Sequence, residues 1–146
     1  MRARRMLGGV VSAVLAVLFA GVVGAPAQAD PLPQFATIGT TLYSFGDVNF
    51  CAGAIDVALE AAPRRPGHVL AHVTPRGYWR GPCGNQVKLG WVGSAGVRTQ
   101  DVYVGTDAGP GDTVTADLWV GMGPAKVMGV SWPIQGTFAE WYLLVP

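Results

Sequence analysis

From residue 37 to the C-terminus the chain is a succession of short runs rich in Val, Thr, Trp and Tyr, each cut by Gly, Pro, Asn or Asp. Helical patterning rich in Ala, Glu and Lys is missing from this stretch, which leaves strands as the regular structure open to it. The clearest run is 113–120. Val114, Ala116, Leu118 and Val120 alternate there with Thr113, Thr115, Asp117 and Trp119. A period of two puts one set in a core and the other in water. Further runs lie at 37–45, 51–59, 68–74, 86–92, 98–104, 126–132 and 137–145. In the second of these, Cys51, Ile55, Val57 and Leu59 share a face opposite Asp56. Pro75 is expected to end the strand at 68–74, residues 76–85 to form a loop, and the turn formers at 107–112 to make a hairpin tip. The prediction is an all-β protein, an antiparallel β-sandwich of about 7–8 strands with one packed and one wet face per sheet. The last strand is expected to pair inside a sheet.

The N-terminus has another character. Arg2, Arg4 and Arg5 precede residues 6–24, a stretch without charge, and then come Ala27, Gln28, Ala29 and Asp30. A basic start, an apolar run and small residues in an A-x-A pattern are the marks of a signal peptide, here 1–29, cut between Ala29 and Asp30. The alternative is a retained anchor, because the uncharged run is just long enough to span a bilayer core of ~30 Å. No cysteine lies near the cut, so a lipidated form does not fit. Export implies a secreted location, extracellular or in the cell envelope, with membrane contact only through an uncleaved segment. Cleavage removes three arginines and leaves seven basic against nine acidic side chains, a net charge of −2. A chain without a clustered basic surface is a poor partner for nucleic acid. Residues 30–36, with Pro31 and Pro33, read as an extended leader, and 37–146 as one domain. Oligomeric state is left open.

Cys51 and Cys83 are the only cysteines, with 31 residues between them. In an oxidising compartment they are expected to pair, closing a loop that chain-entropy arithmetic values at roughly 3–4 kcal/mol. The strand spacing fits an immunoglobulin-like sandwich, although the antibody signature, with a Trp midway between the cysteines, does not hold. Here the first Trp after Cys51 is Trp79, close to Cys83.

Chemistry is sparse. Ser44, Ser94 and Ser131 are the serines after the signal, and none sits in G-x-S-x-G. His68 and His72 lie on a run that alternates like a strand, which separates their rings by about 13 Å, too far for one metal. They read as surface histidines on a wet face. Asp107 and Asp112 read as turn-capping groups, with weak calcium binding as the alternative. No nucleotide motif and no set of metal ligands is present, so the reading is a non-catalytic protein with no cofactor and no metal.

One segment stands out for binding. Arg76, Tyr78, Trp79 and Arg80 combine residue types enriched at interaction hot spots. The alternative has Trp79 folded back over the cysteine bridge. Trp119 is a second candidate, since it falls on the polar face of its strand. Trp91, Trp132 and Trp141 read as core or edge packing.

The A-x-A signal, one cysteine pair around a P-x-G loop and a Gly/Val/Trp-rich chain ending in a strand together resemble small secreted proteins of mycobacteria and related actinobacteria. Some of these have an immunoglobulin-like sandwich and no established enzymatic activity. The chain is also similar to secreted chromoprotein carriers of actinomycetes, although those usually have two disulfides and this chain one at most. The resemblance implies a role in binding a protein or an envelope glycan or other envelope component. The carrier likeness implies instead a small apolar ligand in a cleft. An enzyme with a site assembled at long range is the third possibility.

Overall fold

The computed structural model describes residues 32–45, 52–80, 82–132 and 136–146. The described residues form nine strands: β1 (Gln34–Ile38), β2 (Thr41–Ser44), β3 (Gly53–Ala61), β4 (His68–Tyr78), β5 (Cys83–Gly93), β6 (Gly96–Thr106), β7 (Val114–Trp119), β8 (Gly123–Trp132) and β9 (Phe138–Val145). They make two sheets, ordered β1-β9-β8-β5-β6 and β2-β3-β4-β7, and every pairing is antiparallel. The all-β, two-sheet expectation therefore holds. The last strand lies between β1 and β8, as expected. No helix among the described residues is long and apolar enough to cross a membrane. The signal segment, with Ala27, Ala29 and Asp30, lies outside the described residues.

Alternation explains the core. Ile55, Val57 and Leu59 of β3, Val69, Ala71 and Val73 of β4, and Ala116 and Leu118 of β7 are buried from one sheet. Val87, Leu89 and Trp91 of β5, with Ala139, Trp141, Leu143 and Val145 of β9, meet them from the other in one cluster. At the edge of the four-stranded sheet, β7 keeps Thr115 and Asp117 in water while Ala116 and Leu118 go inward. A strand with one buried face has its register fixed by that face, because a one-residue slip would expose every inward side chain.

Several local expectations are corrected. The run 37–45 is two strands in different sheets: β1 pairs with β9, and β2 with β3. The leader is partly built into the fold. Leu32 is buried, Leu144 N–H donates to Pro33 O at 2.9 Å, and Gln34–Ile38 is a strand. Pro75 does not end β4, which runs on to Tyr78. The β3–β4 register shifts there, Ala54 facing Gly77 and Ile55 facing Pro75, while β7 stops at Val114 opposite Val73. A proline at an irregularity with no third strand beside it removes no ladder bond. Residues 76–85 are mostly strand, since β4 and β5 take all but 79–82. Residues 107–112 are no hairpin tip, because β6 and β7 belong to different sheets and the segment crosses between them.

The ends of the strands define two ends of the sandwich. At one, the turn at 63–67, the turn at 94–95 and residues 120–122 lie together. Val120 and Gly121 N–H both donate to Gly67 O at 3.0 and 2.9 Å, Gly67 N–H to Pro146 O at 2.8 Å, and Ala95 N–H to Val120 O at 3.1 Å. Gly67 has φ +78°, and a Cβ added there would lie 3.2 Å from the Gly121 α-carbon, so a side chain would be both strained and crowded. At the other end lie Tyr78, Cys83, Ser44 and the approach to the groove described next.

A candidate binding groove at one end of the sandwich

The last residues of β4 carry the feature. Gly77 adopts φ +134°, with the Ala108 carbonyl occupying the place a Cβ would take. Only glycine tolerates both conditions. The chain is then pinned by backbone bonds: Tyr78 N–H to Asp107 O at 3.0 Å, and Trp79 N–H to Ala52 O at 2.7 Å. Tyr78 turns inward, is 2% exposed, and packs with Cys83. Gly53, opposite it on β3, leaves room for its ring. Trp79 turns outward and is 73% exposed.

Across from Trp79, β2 presents Tyr43 and is followed by Phe45, both exposed. Tyr43 is held from its outer side by Thr137, whose Oγ1 accepts from Tyr43 N–H at 2.8 Å and whose N–H donates to Tyr43 O at 3.1 Å. Between these walls lies a groove of about 920 Å³, lined by Tyr43, Phe45, Ala54, Gly77, Trp79 and Thr137 among others. Its lining is mostly apolar, with hydroxyls and Arg76 at its margins. Cavities of this size and character are where proteins hold small ligands or the side chains of a partner.

The four residues singled out in the sequence therefore divide by role. Trp79 is displayed, against the alternative in which it folds back over the cysteines. Tyr78 is a buried residue in the groove's lining: the register shift before it brings its side chain inward, where unbroken alternation with Val69, Ala71 and Val73 would turn it outward. Arg80 lies over the Trp79 ring, its guanidinium 5.1 Å from the centroid, and stiffens it. Arg76 pairs with the Asp56 carboxylate. Tyr43, Phe45 and Thr137 were missed. The available signal was the alternation of Tyr43 with Leu42 and Ser44, which puts a large aromatic on the outward side of a strand.

The other candidates lie elsewhere. Trp119 is half exposed, opposite His68 at the far end, with the Arg98 guanidinium 4.6 Å above its ring. Trp91 and Trp141 are buried, while Trp132 is partly exposed with Lys88 Nζ 5.7 Å over it. Cys83 is buried at the start of β5, and no free cysteine occurs among the described residues. Cys51, its expected partner, lies outside them. Asp107 and Asp112 do not cap the turn with their carboxylates. The side-chain bond in that segment is Thr106 Oγ1 to Gly109 O at 3.0 Å, and both carboxylates are left exposed to water. No group of three or more His, Cys, Asp or Glu that could hold a metal occurs among the described residues.

The charged groups gather on the outer faces of the sheets. His68 Nδ1 lies 2.9 Å from Asp117 Oδ1, Arg65 pairs with the same carboxylate, and His72 lies 2.7 Å from Glu60 and 2.9 Å from Thr115. Partial burial pushes the Asp117 carboxyl up, but hydrogen bonds from His68 and Arg65 outweigh it and hold the group below its ordinary value. Glu140 is likewise held low by Lys126, whose own value is raised by Glu140. These pairs are separate from the groove. No protein-family model, no curated protein and no solved structure matches this chain.

Proposed function

We propose that the protein is an exported, non-catalytic β-sandwich that binds an apolar group of a protein or cell-envelope component in the groove between Trp79 and Tyr43. The groove itself carries this reading: an apolar trough of about 920 Å³ walled by three exposed aromatics, Trp79, Tyr43 and Phe45. Aromatic side chains supply large contact area at little cost in side-chain entropy, and Arg80 fixes one of them in advance.

The fold type supports the same family of functions. In the immunoglobulin-like pattern, C, F and G strands share one sheet while B and E share the other. Here β5, β8 and β9 adjoin in that way, and β4 adjoins β7. The chain crosses between sheets from β4 to β5 and again from β7 to β8, so the two pairs interlock. A buried Trp91 on β5 fits the same comparison. The cysteine on β5 departs from the antibody pattern, whose bridge joins the B and F positions. Export rests on the A-x-A segment, and the likeness to actinobacterial secreted proteins is part of the proposal.

The test is binding of the apolar dye anilinonaphthalene sulfonate, followed by its displacement with acyl-chain lipids and with apolar peptides. Saturable binding that weakens in Trp79→Ala and Tyr43→Ala, with the melting temperature unchanged, is the expected result. Dye binding indifferent to both substitutions would overturn the assignment. Displacement by small acyl-chain molecules alone would favour the carrier reading over a macromolecular partner.

A further inference from the structure

The two sheets have four edges, and three of them are guarded. On β1 the strand is five residues long and its register shifts between Gln34 and Ala36. On β2 both the N–H and the C=O of Tyr43 are taken by Thr137. On β7 the strand is six residues long and Arg98 covers its last ring. These are the usual ways in which proteins stop an edge from pairing with another chain. The fourth edge, β6, has no such interruption among the described residues, and its two charged side chains, Arg98 and Asp101, lie over the Trp119 ring and against Lys88. It runs eleven residues in continuous register with β5, with no shift, no proline and no lysine.

The register fixes which groups this edge offers. Gly93 faces Gly96 across the two-residue turn, so even-numbered residues of β6 exchange bonds with β5. The N–H and C=O of Val97, Thr99, Asp101 and Tyr103 then point along the sheet, away from β5. On the solvent side, Val97 and Tyr103 are the exposed apolar residues of the strand, at 76% and 67%. Antiparallel pairing of β6 with itself about a two-fold axis at Gln100 sets Val97 opposite Tyr103 of the second copy twice over, and Thr99 opposite Asp101. A slip of two residues one way puts Asp101 against its own copy. A slip the other way puts Val97 against Asp101. Like charges directly opposite are unfavourable, whereas aromatic and β-branched pairs are favourable. A single register therefore satisfies both the backbone and the side chains.

We infer that β6 is a self-association edge, through which two copies of this chain join their five-stranded sheets into one continuous antiparallel sheet centred on Gln100. The partner is a second copy because the strand is complementary to itself, as a two-fold interface requires. This interface is distinct from the Trp79 groove.

The experiment uses protein expressed from the full 146-residue chain, with its N-terminus established by intact mass. Sedimentation should show a dimer. Val97→Lys combined with Tyr103→Lys should give a monomer with the melting transition unchanged, since both positions face water. Register is read by cross-linking in a glutathione buffer. In the proposed pairing Gln100 faces its own copy as a non-hydrogen-bonded pair, with α-carbons about 4.5 Å apart, within the range a disulfide spans. Gln100→Cys should therefore form a covalent dimer, and Asp101→Cys should form severalfold less. A monomeric parent, a dimer that survives the double lysine variant, or equal cross-linking at positions 100 and 101 each overturns the inference.

Discussion

β4 carries a glycine turn just before its first residue and a displayed tryptophan just after its last, and the two ends of the sandwich differ accordingly. Around Gly67 the closure is made by main chain. Three turns and the Pro146 carbonyl bond to one another, and Trp91 seals the core beneath them, its Nε1–H donating to Trp119 O at 2.9 Å. Around Tyr78 the interior is polar. Ser44, Asn85 and Ser131, the three buried polar residues among the described ones, all lie toward this end. Beyond them sit Trp79, Tyr43 and Phe45 in water. A protein that needed only to be stable would close both ends alike. The contrast teaches that one end is built for holding the fold and the other for presenting surface.

Substitution at the sealed end should show the largest effect. Trp91→Ala removes a ring that is 4% exposed and leaves the Trp119 carbonyl without its donor. Large-to-small changes of this kind cost about 3–5 kcal/mol. Urea titration followed by circular dichroism reads the loss. A cost below about 1 kcal/mol would mean that the far end is not where the stability resides.

The groove end should match that figure at one point only. Ala52, the residue after Cys51, accepts the Trp79 N–H, and Cys83 lies four residues further on. We expect Cys83→Ser to cost roughly 3–4 kcal/mol, if the loop to Cys51 is closed by a bridge. Melting with and without reductant checks it. An unchanged transition on reduction would remove the bridge from the account and leave the groove end held by hydrogen bonds alone.

Asn85 sharpens the contrast, with a smaller effect of opposite sign. Its side chain is 1% exposed, and neither its oxygen nor its nitrogen has a hydrogen-bond partner among the described residues. Burying an amide unpaired costs about 1–3 kcal/mol, so an apolar residue of similar volume should do no harm. Asn85→Leu is expected to leave stability unchanged or raise it by about 1 kcal/mol. A loss comparable to that of Trp91→Ala would show that the amide has a role the folded chain alone does not reveal.

These residues also mark what could be read in advance. Alternation was legible wherever one face of a strand is buried, because a period of two leaves its trace in composition, as in Val114–Trp119. The assignment of strands to sheets was not. Nothing local says that Ile38 and Thr41 belong to different sheets, or that 107–112 crosses between them. Both facts depend on pairing with distant residues, as Ile38 pairs with Glu140 and Thr41 with Asp56. Trp79 was recognised because its neighbours are unusual. Tyr43 and Thr137 were not, because they come together only when β2 and the approach to β9 meet, 94 residues apart. Asn85 carried no signal at all, since an asparagine beside a glycine reads as a turn until a strand is seen to bury it.

The smallest predicted effect concerns the charges that tie the sealed end together. Asp117 on β7 receives Arg65, from the turn before β4, and His68, its first residue. Its carboxyl is held below the ordinary value, so the folded state binds its proton less readily than the unfolded chain does. The stabilisation is therefore present above the ordinary carboxylate range, near pH 4, and disappears as pH falls through the lowered value. The group is more than one-third exposed, so water screens it and the contribution stays below about 1 kcal/mol. Asp117→Asn should remove that small contribution at neutral pH, leave stability at the acid extreme almost unaffected, and so flatten the acid limb of the stability curve slightly. Hydrogen exchange localises the change. On acidification the amides of Gly67 and His68 should lose protection before those of Tyr78 and Trp79, because the Asp117 tie is at their end of β4. Equal loss at both ends, or earlier loss at Tyr78, would mean that the main-chain bonds around Gly67 hold that end without help from charge.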